Sequence, residues 1–206
     1  MKALEEGKQT ILFLKNGIRW EFSDPSNVSP GKSDDANEVD ANTWVIQGEE
    51  KGGEFKPEYP EFFLYPTLGE ESSHDIKPDW RPRFSAIESE NKDPKRIHFR
   101  LYAVGEQVEK ITDWEICKRL IPFTVLSDEA VEKKFHEGDW QGVYLFLIRV
   151  FSLPVPMDLP VKPSYEGCEV WVPLETSMFT AGSMPVIPDG AWPYTRDRIL
   201  KMCETS

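Results

Sequence analysis

One run limits what this chain can fold into. Val143 to Leu153, VYLFLIRVFSL, has ten apolar, aromatic or serine residues among its eleven; the exception is Arg149. It is too short to cross a bilayer as a helix. Its Val, Ile, Phe and Tyr content predicts a strand buried on both faces. Everything else must supply two apolar layers to cover it, and some group must meet the guanidinium inside it. Burying that charge alone would cost several kcal/mol, so a carboxylate or a set of carbonyls is expected beside Arg149.

The flanking segments can supply those layers. Thr10 to Leu14 reads as a short apolar strand, and Asn16-Gly17 then predicts a tight hairpin turn into Ile18–Phe22. Glu61 to Thr67 is another strand, stopped by Pro66. Arg96 to Val104 alternates: Ile97, Phe99, Leu101 and Ala103 share one face, with Arg96, His98, Arg100, Tyr102 and Val104 on the other. Two helices precede the apolar run. Thr112-Asp113-Trp114-Glu115 reads as a capping box on Thr112, with Ile111 and Ile116 as its hydrophobic staple, and Pro122 follows Ile121. Ser127 caps the second helix, whose last turn carries Lys133, Lys134 and His136 before Gly138. CEVWV at 168–172 predicts a last strand, and Tyr194 to Cys203 a terminal helix capped by Thr195. The sum is an α+β protein with a mostly antiparallel sheet and a few short helices. Residues 1–175 form the expected domain, and 176–206 a C-terminal extension.

Composition narrows the functional classes. The net charge is −12, so non-specific adhesion to nucleic acid or anionic lipid is not expected of the whole surface. Much of that charge lies in 23–53, where seven acids face two lysines among prolines, glycines and serines. This stretch reads as a solvated acidic insertion, and it lacks the spacing of a calcium loop. Cys117, Cys168 and Cys203 are an odd, widely spaced set with no CxxC. Reduced thiols predict a cytoplasmic protein. With no His at zinc-like spacing and no P-loop, GxGxxG or HExxH motif, no metal and no cofactor are expected. No segment has the length of a membrane helix.

Several stretches together resemble one family. LEEGKQTILFLKNGI, EFFLYPT, YLFLIRVFSLPVP and KPSYEGCEVWVPL look like the prokaryotic domain of unknown function eighteen-oh-two family, over about residues 3 to 175. Gly7, Gln9, Lys15, Gly17, Ile18, Leu64, Tyr65, Pro66, Thr67, Arg149, Val150, Leu153, Pro154, Tyr165, Gly167, Cys168 and Trp171 match its pattern. Leu14 stands where the family has Arg, and Asn16 where it has Gly. Gly69-Glu70-Glu71 replaces its Glu-His-Gln, so no role for that histidine carries over. The resemblance implies a further strand upstream of Met1. It also implies, through members similar to parts of Mrr-type restriction proteins, a place beside nucleic acid or in defence.

Three sets of residues could carry chemistry. His98, Arg100 and Tyr102, with Trp80–Phe84 upstream, mix cations and rings as a nucleic-acid or nucleotide surface would. The plainer reading is a solvated sheet face with cross-strand charge pairs. Asp79, Glu90 and Lys92 imitate the acid–acid–lysine layout of metal-dependent nucleases, but SENKDPK reads as a turn. Cys168 has no His or acid linked to it by motif and reads as structural. Lys15, beside the Asn-Gly turn, is expected to be exposed. The leading expectation is a non-enzymatic binding or accessory module using Lys15, His98, Arg100, Tyr102 and Arg149, with nucleic acid or a protein as partner. A metal-dependent nuclease-like enzyme and a protein-interaction module are the alternatives.

Overall fold

The computed structural model describes residues 2–15, 61–64, 73–83, 95–138, 140–163, 174 and 178–204. The Asn16-Gly17 hairpin, the acidic insertion 23–53, Glu90, Lys92, Cys168 and the 168–172 strand lie outside the described residues.

Among the described residues, five antiparallel strands and four α-helices build an α+β fold. The strands are β1 (Ile11–Leu14), β2 (Glu61–Phe63), β3 (Arg96–Ile111), β4 (Val143–Pro160) and β5 (Met184–Pro185). The helices are α1 (Lys2–Glu5), α2 (Trp114–Leu120), α3 (Asp128–His136) and α4 (Trp192–Cys203). The sheet order is β1-β4-β3-β2, and β5 pairs with β4. Phe151 and Ser152 pair with β3 on one side and with β5 on the other. β5 therefore continues the edge that β1 begins.

The apolar run occupies the centre of the sheet, as its composition requires. Val143, Leu145 and Leu147 enter one cluster with Cys117 and Leu120 of α2, Val131 and Phe135 of α3, and Trp192 and Ile199 of α4. Phe146, Ile148 and Val150 enter the cluster on the opposite face with Leu4, Leu64, Leu101 and Ala103. Each of these side chains contributes roughly 1.5–3 kcal/mol on burial. The residues past 175, expected as an extension, thus place Trp192 and Ile199 in the main core.

Both long strands outrun their expected ends, for separate reasons. Alternation in β3 predicts a stop near Val104. The strand continues because Glu106 is an extra residue: Gly105 pairs with Ile148 and Gln107 with Leu147. This bulge exchanges the faces. Before it, Ala103 and Gly105 share the side of Val150 and Ile148; after it, Ile111 shares the side of Val143 and joins the helix-covered cluster. β4 was expected to halt at Leu153, before Pro154 and Pro156. It runs to Pro160, because Phe99 pairs with Met157 and Leu101 with Ser152, leaving 153–156 bulged opposite Arg100. Neither of those prolines deprives β3 of a hydrogen bond. Pro160 is tolerated differently: the next amide, of Val161, donates to Lys95 O at 2.8 Å. The N–H that Pro160 lacks would have pointed to the opposite edge.

Helix ends follow local chemistry with two corrections. Asp113, not Thr112, is the N-cap of α2, accepting from Glu115 N at 2.8 Å. The carboxylate does the work expected of the hydroxyl one residue earlier. Ser127 caps α3 as expected, accepting from Ala130 N at 3.2 Å, and Gly138 has φ +73° beyond its end. α4 starts at Trp192, ahead of the expected Thr195 cap, because Pro193 fits a first helical turn. Thr195 lies inside the helix and its hydroxyl donates back to Ala191 O.

Gly105 is held by sterics alone. A Cβ built there would lie 2.4 Å from Cζ of Phe146, a fully buried ring that can only retreat by disturbing the sheet. Gly105→Ala should lower stability by about 1–3 kcal/mol or more, as overpacking of a filled core does. Urea denaturation of the purified variant measures this directly.

Candidate functional site

The helix-side face of the sheet has two halves. Helices α2, α3 and α4 cover the half built on Val143, Leu145, Leu147 and Ile111. Beyond Leu147, the same face of β4 presents Arg149 and Phe151. Their partners on β3 are Val104 and Tyr102, and Phe63 of β2 pairs with Tyr102. Farther along, His98 pairs with Asp158, and strand alternation puts exposed Arg100 and Arg96 on this face.

This second half is a row of rings with cations around it. The Tyr102 and Phe151 rings stack at 4.9 Å and 12°, with Phe63 at 6.2 Å from Tyr102. Burial pushes the Tyr102 hydroxyl above its usual range, as does nearby Glu61, while Arg149 pulls the other way. His98 Nδ1 meets the carboxylate of Asp158, and Arg96 donates to the Asp158 carbonyl at 3.3 Å. Much of this detail favours cross-strand pairing within the sheet.

Arg149 stands on the boundary between the covered and the open half. Its guanidinium carbon lies 5.2 Å from the Phe151 ring centre and 5.8 Å from that of Trp192. Nη2 donates to the Asp189 carboxylate, which is the counter-charge that the apolar run demands. Nε is buried without an acceptor among the described residues. A narrow crevice beside it, lined by Gly7, Gln9, Thr10, Val186 and Ile187 among others, is too tight to hold a water molecule. Trp192 Nε1 donates to Glu106 Oε1 at 2.8 Å, so the bulge in β3 also anchors the first turn of α4.

Gly7 and Gln9 arrive at this crevice by a local device. The amide of Gly7 donates to Leu4 O and that of Lys8 to Ala3 O, at 3.1 and 2.8 Å. This closes α1 in a Schellman turn, with Gly7 at φ +64°. A Cβ on Gly7 would also meet Ile187 at 3.0 Å.

Lys15 does not join this group, nor is it the exposed lysine expected beside a turn. It follows β1, whose Leu14 pairs with Tyr144 near the far end of β4. Its ammonium donates to the carbonyls of Phe135, Trp140 and Gly142 at 2.8, 2.6 and 2.9 Å. It also lies 4.6 Å from the Trp140 ring centre. Three donors meet three acceptors at the C-terminal end of α3, where the helix dipole favours a cation. Burial pushes its pKa down, and Glu137 opposes the shift. Lys77 uses the same device, donating to Ile121 O and Thr124 O at 2.8 and 2.7 Å. Burial lowers its pKa, while Asp128 and Asp79 raise it.

Of the nuclease-like set, only Asp79 lies among the described residues. Among those residues, no group of three His, Cys, Asp or Glu side chains is placed to hold a metal ion, and no helix is long and apolar enough to cross a membrane. Asp189, Trp192 and Glu106 were missed from sequence. Glu106 did carry a signal, since a glycine interrupting an alternating strand suggests a bulge. Nothing local marked Asp189.

Comparison with known proteins yields one match. A family model described as a domain of unknown function (DUF1802) matches residues 47–197. That span contains β2 to β5 and the first turns of α4; it leaves out Gly7, Gln9 and Lys15, and it extends past the residue 175 limit of the resemblance. No curated protein and no solved structure matches the chain.

Two outcomes test these electrostatics. Lys15→Met should cost about 1–3 kcal/mol, since it removes three hydrogen bonds from the ammonium to part-buried carbonyls; urea melts check this. Burial pushes the Cys117 thiol up to about 12 and the Cys203 thiol up to about 11. A raised folded pKa gives stability that is fully present below the unfolded value of about 9 and is lost as pH climbs toward the folded one. Stability should therefore fall above pH 9, by up to ~1.4 kcal/mol per pH unit for each thiol. Tyr102 adds to the loss above pH 10. Lys15 and Lys77, with lowered values, act with the opposite sign up to pH 10.5. Comparing the pH dependence of unfolding in the wild type and in a Cys117→Ala/Cys203→Ala variant isolates the thiol part, which should vanish in the variant.

Proposed function

The chain belongs to the DUF1802 family of unknown function, its model matching residues 47–197, and on that footing we propose that it is a non-enzymatic binding module. Its binding surface is the open half of the helix-side sheet face, and its ligand is single-stranded nucleic acid. The observation that carries this reading is the row Phe63–Tyr102–Phe151, with Tyr102 and Phe151 stacked at 4.9 Å. Arg100, Arg96 and His98 flank the row along β3. Rings that stand half-exposed on a sheet can stack bases, while flanking guanidinium groups bind phosphates. The net charge of −12 repels a polyanion elsewhere on the surface, so contact is confined to this strip and is weak and salt-sensitive.

A protein-partner reading has one observation of its own. Val155, Phe179 and Met184 are large apolar side chains left exposed, and Met184 pairs with Ser152 just before the bulge that carries Val155. Exposed apolar groups of this kind occur at protein interfaces.

Titration of short single-stranded DNA and RNA at several salt concentrations separates the two readings. Affinity should fall steeply with salt, and Arg100→Ala should lower the slope of log K against log salt by about 0.7, one phosphate contact on a single strand. Tyr102→Ala should cost roughly 1–3 kcal/mol of binding. No binding at low salt removes the nucleic-acid reading.

A further inference from the structure

The half-used guanidinium of Arg149 points to a ligand of its own. It does not depend on the nucleic-acid strip, so either reading can fail alone. The guanidinium lies 5.2 and 5.8 Å from the ring centres of Phe151 and Trp192, which limits the orientations open to it. Nη2 and Nε form one edge of the planar fork, the edge that grips a carboxylate with two parallel hydrogen bonds. Only half of that edge is in use. Nη2 holds Asp189, while Nε is buried with no acceptor among the described residues. Arg149 is only 22% exposed, whereas the side chain holding it is 84% exposed. An ion pair with so exposed a partner is weakly held and readily exchanged. A desolvated guanidinium with an unmet donor, by contrast, gains from any anion that satisfies both nitrogens. The crevice lined by Gly7, Gln9, Thr10, Val186 and Ile187 is too tight for a water molecule, so an anion reaches the fork by taking the place of Asp189.

We propose that Arg149 is a receptor for the carboxylate of a small acid or of a peptide C-terminus, and that Asp189 occupies the receptor as the chain's own stand-in. Asp189 lies on the segment between β5 and α4, and a tethered competitor of this kind acts at millimolar effective concentration. Removing its charge opens the site without touching the core.

The test follows the Nε–Hε signal of Arg149 by NMR in the full chain, with ionic strength held constant with chloride. Sodium acetate should shift this signal in Asp189→Asn with a midpoint about tenfold lower than in the wild type, the difference made by losing the tethered competitor. A short peptide with a free C-terminal carboxylate and the same peptide as its C-terminal amide form the second arm. A shift with the free acid and none with the amide identifies a peptide terminus as the source; a shift with acetate alone identifies a small acid. Asp189 is exposed, so the variant should keep the wild-type spectrum elsewhere, and that spectrum checks the fold. If acetate and both peptides move the Arg149 signal no more than chloride does, the receptor is overturned. It is equally overturned if the midpoints in the variant and the wild type are the same.

Discussion

Everything in this fold depends on β4 being buried on both faces. A strand that places Leu145 and Leu147 on one side and Phe146 and Ile148 on the other, all fully buried, cannot be covered by one layer. The helices α2, α3 and α4 cover the first side. Residues from α1, β3 and the segment after β2 cover the second. Neighbouring strands must in turn present apolar groups to both layers, and a strictly alternating strand like the start of β3 cannot do so along its whole length. The extra residue at Glu106 resolves this conflict. It moves the apolar positions of β3 from the second layer, at Ala103, to the first, at Ile111. Gly105 precedes it because the Phe146 ring leaves no space for a side chain there.

The same bulge links architecture to the candidate site. Glu106 accepts from the indole of Trp192, and Trp192 begins α4 directly beside Arg149. The C-terminal helix is thereby fixed at the point where the covered half of the face gives way to the open half. Lysines serve a parallel purpose elsewhere. Lys15 and Lys77 hold the backbone carbonyls at the end of α3 and around the α2–α3 connection. Phe135 O and Ile121 O also accept from the amides of Gly142 and Thr124, and a flexible ammonium adds a bond to two or three carbonyls at once.

Much of the fold was legible because period and composition are local signals. The double-sided strand, the alternation of β3 up to Val104, the Ser127 cap and the need for a counter-charge at Arg149 all follow from neighbouring residues. The misreadings share a different cause. The lengths of β3 and β4 depend on what their partners do at Glu106 and at 153–156, and register is not written in either strand alone. Lys15 looked exposed because a lysine beside a turn usually is; its acceptors are more than a hundred residues away in sequence. Asp189 was not legible at all, since a carboxylate in a Pro-Asp-Gly turn carries no mark of the arginine it meets. The family match shows the same division. Its model supports membership through the sheet-forming span 47–197, while Gly7 and Gln9 line the crevice from outside that span.

Arg149 is costly to keep in β4, and the structure indicates what would justify it. A leucine or valine at that position would extend the apolar run, and an ion pair whose partner is 84% exposed contributes little in its place. If the charge served architecture alone, its partner should be buried with it and its donors fully used, as Lys15 uses all three of its own. Arg149 shows the reverse pattern: a largely exposed partner on a connecting segment and one donor unmet. A half-buried lysine with every donor used is scaffold, whereas a half-buried arginine left half-satisfied at the border of an open face has the character of a site.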